Sequence, residues 1–183
     1  MANNFCFKSD KMRNFTEKNF REVRAPFVCG IELTAKCNLK CIHCYAQNSR
    51  SHNDLTTSDV KNIIDTLISN NCIELYFTGG EVFTRNDFFE VFTYAKKKGV
   101  IITVLSNVTL LNEEHIDLFK KYPVALVSTT MYGYTEETYE KVTGVKGSFR
   151  KFMNGIELLH KNDIPFEIKY VGMRQNIQDA HNI

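Results

Sequence analysis

The amino-acid sequence predicts an α/β protein with a mainly parallel sheet of about five strands. Three observations predict it. Runs rich in β-branched and aromatic residues alternate with amphipathic runs of helical period, the pattern of βαβ units. The 157 residues from Phe27 to Ile183 hold five such strand runs, which fits the roughly 31 residues per unit of parallel α/β barrels. The cysteine cluster and a Gly-Gly-Glu turn each follow a strand run, at the sheet end where such folds place their sites.

Phe27–Leu33 is a short apolar run and reads as the first strand, after a polar stretch that Pro26 closes. The cysteine cluster follows, then a polar loop from Gln47 to Leu55. Thr56, with Asp59 three residues on, marks a helix start. Val60, Ile63, Ile64, Leu67 and Ile68 then recur with the 3.6-residue period of one apolar face. Ile73–Thr78 is the second strand, ending in Gly79-Gly80-Glu81. Asn86 or Asp87 caps the next helix, which carries Phe88, Phe92 and Ala95 on one face. Lys96, Lys97 and Lys98 suit the negative end of its dipole, and Gly99 stops it.

Val100–Leu105 is the third strand, rich in β-branched residues. Asn112 opens a helix with Glu113 and Glu114 in its first turn. Val124–Met131 is the fourth strand. Thr135 opens a short helix to about Val142, and a longer one runs from about Phe149 to Asn162. Phe166–Val171 is the fifth strand, and Asn176–Ile183 reads as the start of a further helix.

The chain has 183 residues, 43% hydrophobic and 24% charged, as in a globular domain. A closed eight-unit barrel needs about 250 residues and does not fit. The net charge of +2 offers no basic field for nucleic acid. No apolar run approaches the roughly 18 residues that span a membrane, and no signal peptide opens the sequence. These features predict a cytoplasmic protein without nucleic-acid or membrane partners. Six cysteines are too few for a disulfide scaffold at this size, and half of them cluster, which points to metal or redox chemistry in a reducing compartment.

Cys37, Cys41 and Cys44 form C-x3-C-x2-C on the loop after the first strand. Three thiolates on one loop can converge on one metal centre. Four cysteines saturate a four-iron cluster, whereas three leave an open position for a substrate molecule. Spacing alone also leaves open a structural zinc, with His43 or a distant residue as the fourth ligand, although such sites usually show two spaced pairs. Gly79 and Gly80 let backbone approach a ligand closely, and Glu81 can pair with a ligand ammonium. Ser106, Asn107 and Thr130 stand at strand ends, where they could bond a ribose. Their alternative is an ordinary structural role. Cys29 and Cys72 read as small core side chains, and Cys6 as incidental. No paired carboxylates, Ser-His-Asp order or phosphate loop is present.

The stretch Leu33-Thr34-Ala35-Lys36-Cys37-Asn38-Leu39-Lys40-Cys41-Ile42-His43-Cys44-Tyr45, with Phe77-Thr78-Gly79-Gly80-Glu81 one strand later, resembles the radical S-adenosylmethionine (SAM) enzymes. The run from Thr129-Thr130-Met131-Tyr132-Gly133 through Tyr139–Gly144 and Gly147-Ser148-Phe149 looks like the subgroup whose members carry C-terminal SPASM or twitch domains. The resemblance covers about Phe27 to Val171. It implies that Cys37, Cys41 and Cys44 hold three irons of a [4Fe-4S] cluster and that SAM chelates the fourth. It implies that Gly79, Gly80 and Glu81 bind the methionine part of SAM, with Ser106 and Thr130 near the ribose. A ribose-binding arginine that some relatives place beyond the fourth strand is not evident, since Val142 and Thr143 stand there.

The implied activity is reductive cleavage of SAM to a 5′-deoxyadenosyl radical, which abstracts a substrate hydrogen. An external electron donor and a peptide or protein substrate are the implied partners. The alternatives are maturation of a small cofactor such as a tetrapyrrole, and a non-catalytic metal-binding module or inactive fragment. The family's core is a six-unit partial barrel. The expected organisation is therefore an N-terminal extension over 1–26 and a radical SAM core over 27–183. That core is expected to be an incomplete (βα)6 partial TIM-like barrel truncated before its sixth βα unit.

Overall fold

The computed structural model describes residues 26–46 and 54–182. The expected N-terminal extension, Cys6 and most of the polar loop after the cysteines lie outside the described residues. Among the described residues, five strands form one sheet: β1 Val28–Thr34, β2 Glu74–Gly79, β3 Ile101–Leu105, β4 Leu126–Met131 and β5 Phe166–Tyr170. Among the described residues, five α-helices lie between them, the last two both between β4 and β5: α1 Thr57–Ser69, α2 Phe88–Lys97, α3 Glu113–Lys121, α4 Glu136–Thr143 and α5 Ser148–Lys161. The strands lie side by side in sequence order, and every neighbouring pair is parallel. Right-handed crossovers in a sheet that winds in one direction put the helices on one face. The expected α/β fold, an open partial barrel of five parallel strands, is the fold observed.

Successive strand side chains point to opposite faces, and here the two faces differ in chemistry. Ile31, Leu33, Leu75, Phe77, Ile102, Val104 and Val127 are buried and belong to the main core. That core continues into Val60 and Ile64 of α1, Val91 and Phe92 of α2, and Ile116 and Phe119 of α3. The rings of Phe77, Phe88 and Phe119 each contact Phe92. Burying each such side chain stabilises the fold by about 1.5–3 kcal/mol. The opposite, concave face carries Thr78, Leu105, Ser128, Thr130 and Lys169 around a cavity.

The helix starts follow local chemistry. Thr56 and Asp59 form a reciprocal capping box on α1, the arrangement their spacing predicts. Asn112 and Thr135 cap α3 and α4 through their side chains. Asp87 stands at the α2 N-cap but makes no capping bond. Its carboxylate instead accepts from Arg85 Nε at 2.7 Å and Nη2 at 2.6 Å. Strand and helix ends otherwise lie within one or two residues of those expected.

The exception is the stretch after β5. Asn176–Ile183 does not start an α-helix among the described residues, and forms a short 3-10 turn over Ile177–Asp179. The fully buried Asn176 explains this. Its side-chain amide donates to the carbonyls of Tyr132 and Val171, and its oxygen accepts the N–H of Met173. A side chain that binds backbone so extensively competes with helix formation.

Candidate functional site

The loop Ala35–Ala46 is held at the C-terminal edge of the sheet from three sides. At its root, Asp54 accepts Thr34 Oγ1 at 2.9 Å and the N–H of Ala35 at 3.1 Å. In its middle, the N–H groups of Lys40 and Ile42 donate to Thr143 and Val142 at 2.8 and 3.0 Å. Those carbonyls end α4 and have no partner within the helix, so the helix terminus fastens the loop. Gly144 follows with φ +67°, and a Cβ there would stand 3.0 Å from the Lys40 carbonyl.

The third fastening is the end of β2. Gly80 N–H donates to Thr34 O and Glu81 N–H to Lys36 O, both at 2.8 Å. A Cβ on Gly79 would lie 2.3 Å from Thr34 O, and one on Gly80 2.2 Å from Lys36 O. The glycines therefore let two stretches of backbone meet, while the same two residues line the cavity.

Cys37, Cys41 and Cys44 line that cavity together with Gly79, Gly80, Ser106 and Thr130. Its volume is about 330 Å³. With Asn107, eight of the nine residues that the sequence points to therefore share one cavity wall. Glu81 does not. It is buried, and its carboxylate accepts Ser106 Oγ and Asn107 N–H at 2.7 Å each, and Phe83 N–H at 3.2 Å. Burial pushes its pKa up to about 7, against the pull of those three donors. In this arrangement the Glu81 carboxylate supports the Ser106-Asn107 turn.

Sequence reasoning misses several residues of this site. Tyr132 lines the cavity with its hydroxyl pushed up to about 12, first by burial and then by the Cys41 charge. His43, already singled out by its place in the cysteine motif, lies against the Tyr132 ring at 4.9 Å between centroids, and burial lowers its pKa. Lys169 reaches the cavity from β5 and pairs with Glu167 at 2.9 Å, and Glu167 accepts Ser128 Oγ at 2.8 Å. The available signal is the alternation Phe166-Glu167-Ile168-Lys169-Tyr170, which sets both charges on the concave face. Arg85 has no such signal. It is buried and donates to the carbonyls of Leu33 and Leu55 at 2.7 and 3.0 Å, besides Asp87. Cys72 is buried, with its thiol donating to the Phe27 and Glu74 carbonyls, and Cys29 packs on the core, as expected for both.

Three thiolates on one loop fit a four-iron cluster with one iron left open. A tetrahedral zinc, with sulfur at about 2.3 Å, draws its thiolates to within about 3.8 Å of one another. Among the described residues, no three His, Cys, Asp or Glu side chains form a group able to hold one metal ion. Cys37, Cys41 and Cys44 all line one cavity, and a four-iron cluster takes each cysteine on a separate iron.

The sequence of residues 31–183 matches the radical SAM superfamily, and the chain belongs to that family. It is 34% identical over 157 residues to the AdoMet-dependent heme synthase of Methanosarcina barkeri, covering 85% of this chain and 45% of that protein. It is 29% identical over 170 residues to the antilisterial bacteriocin subtilosin biosynthesis protein AlbA of Bacillus subtilis, covering 92% and 38%. The fold is similar to that of Streptococcus suis SuiB bound to the precursor peptide SuiA. The TM-score is 0.74 at 14% identity, over 100% of this chain and 43% of that one. The chain thus spans less than half the length of these relatives. Among the described residues no helix is long and apolar enough to cross a membrane.

Proposed function

We propose that this chain carries the cluster- and SAM-binding part of a radical SAM enzyme. The observation that supports it best is the shared cavity wall: three cysteines opposite Gly79 and Gly80, at the C-terminal edge of the sheet. Cys37, Cys41 and Cys44 would hold a [4Fe-4S] cluster with one iron open. Gly79 and Gly80 would face the methionine part of SAM, and Ser106 and Thr130 would lie along the nucleoside. Glu81 would act indirectly, by bracing the Ser106-Asn107 turn. With an external electron donor, the bound groups supply reductive cleavage of SAM to a 5′-deoxyadenosyl radical and hydrogen abstraction from a substrate.

The protein's own part is to bind, orient and exclude water. The half-buried cavity, the Tyr132 ring and the tight β2–loop junction serve that end. The substrate of the whole protein is a ribosomal peptide or protein in this reading, supported by the likeness to AlbA and to SuiB with its precursor peptide. The second reading is maturation of a small tetrapyrrole-like cofactor, favoured by the 34% identity to a heme synthase.

Anaerobic reconstitution with iron and sulfide, then SAM and dithionite, tests the activity. The expected product is 5′-deoxyadenosine, and its absence from a cluster-loaded chain contradicts the reading. Faster release with a candidate precursor peptide than with an iron porphyrin favours the peptide substrate, and the reverse favours the tetrapyrrole.

A further inference from the structure

We propose that Asn107 is a positioning residue for Cys37 and sets the reduction potential of a cluster held there. The inference rests on the cluster-binding reading above. Its basis is a closed ring of hydrogen bonds between the β3 turn and the cysteine loop. Asn38 Nδ2 donates to Thr109 Oγ1 at 2.7 Å, and Thr109 Oγ1 donates to Asn107 Oδ1 at 2.6 Å. Asn107 Nδ2 donates back to Asn38 Oδ1 at 3.0 Å. Thr109 N–H adds a bond to Asn107 Oδ1 at 3.0 Å.

This ring admits one orientation of each amide. Asn107 Oδ1 accepts two donors, one of them a backbone N–H that cannot reverse, so its NH2 group must face the other way. That group lies 3.9 Å from Cys37 Sγ. The N–H of Leu39 lies 3.4 Å from the same sulfur. Two donors therefore aim at the first cysteine of the motif.

The turn is also built to hold Asn107 still. Its N–H is bound by the buried Glu81 carboxylate. The next residue, Val108, is fully buried at φ +53°. A β-branched residue in the left-handed region persists only where its surroundings over-determine it. Ser106 Oγ accepts the Val108 N–H at 2.9 Å. On α5, a Cβ at Gly155 would stand 2.4 Å from the Val108 carbonyl, so the helix has a glycine where the turn arrives.

Donors aimed at a ligating sulfur favour the more negative, reduced cluster and raise its potential. The test is a redox titration followed by absorbance and electron paramagnetic resonance, on wild type, Asn107→Leu and Thr109→Val matched for iron and sulfide. Asn107→Leu removes the donor without adding charge. At a fixed poise its reduced-to-oxidised ratio is expected to fall about fivefold, the equilibrium weight of one hydrogen bond. Thr109→Val removes one of the two donors to Asn107 Oδ1 and leaves the backbone N–H, so the amide is held less firmly and its ratio is expected to fall by less. If Asn107→Leu fails to take up a cluster, Thr109→Val carries the test. Unchanged titrations and spectra in the loaded variants would mean that Asn107 only shapes the turn, and would overturn the proposal. A wild-type chain that takes up no cluster overturns the underlying reading instead, before any variant is compared.

Discussion

The hydroxyl of Ser106, a residue of the cavity wall, donates to the buried Glu81 Oε1 at 2.7 Å. Burial raises the Glu81 pKa from an ordinary 4.5 to about 7, although three donors stabilise its charged form. A carboxyl whose pKa is raised in the folded state contributes stability that is full below 4.5 and is lost as pH rises through about 7. His115, lowered by burial to about 4, contributes in the opposite sense, with stability lost as pH falls below about 6.5. The readout is therefore the difference between wild type and Glu81→Gln in denaturant midpoint from pH 5 to pH 8. The wild type is expected to lose its advantage toward pH 8. A constant difference across that range would contradict the raised pKa.

Arg85 binds Asp87 and two main-chain carbonyls from inside the protein. Removing the buried Arg85 leaves two carbonyls and the half-buried Asp87 without their donor, a loss of about 2 kcal/mol. Arg85→Ala is expected to lose roughly that much stability in urea. The Arg85 guanidinium also holds the Asp87 carboxyl down at about 2. That contribution is present above an ordinary 3.8 and is lost as pH falls toward about 2. The variant should therefore show a shallower loss of stability over that acid range, and an equal slope would contradict the pairing.

Gly80 sits where a Cβ would press on the Lys36 carbonyl, a backbone atom that cannot turn aside. Gly80→Ala is expected to push the cysteine loop off β2 and to lower iron uptake on reconstitution severalfold. Gly30→Ala is the control, because a Cβ there meets nothing within 4 Å. Equal iron uptake by both variants would contradict the role of the β2 end as a seat for the loop.

The fold is legible in the sequence where short-range chemistry decides it. The Thr56–Asp59 box, the α1 face through Val60 and Ile64, and the β-branched β3 strand each specify their element locally. The cysteines and Gly79-Gly80 are legible because their spacing restricts the chemistry open to them. The direction of Glu81 is not, because it depends on Ser106 and Asn107 arriving from another strand. Arg85 and Asn176 look like ordinary polar residues until the backbone groups they bind are brought to them from elsewhere in the chain. The Lys40–Thr143 bond likewise joins segments about a hundred residues apart.

A four-iron cluster on Cys37, Cys41 and Cys44 would tie iron and sulfide content to those three thiolates. Iron, sulfide and zinc content of the anaerobically reconstituted chain, beside Cys41→Ala, tests it most directly. About four irons and four sulfides per wild-type chain are expected, with little zinc and a sharp loss of both iron and sulfide in Cys41→Ala. Zinc without iron, or undiminished iron and sulfide after the cysteine is removed, would contradict it.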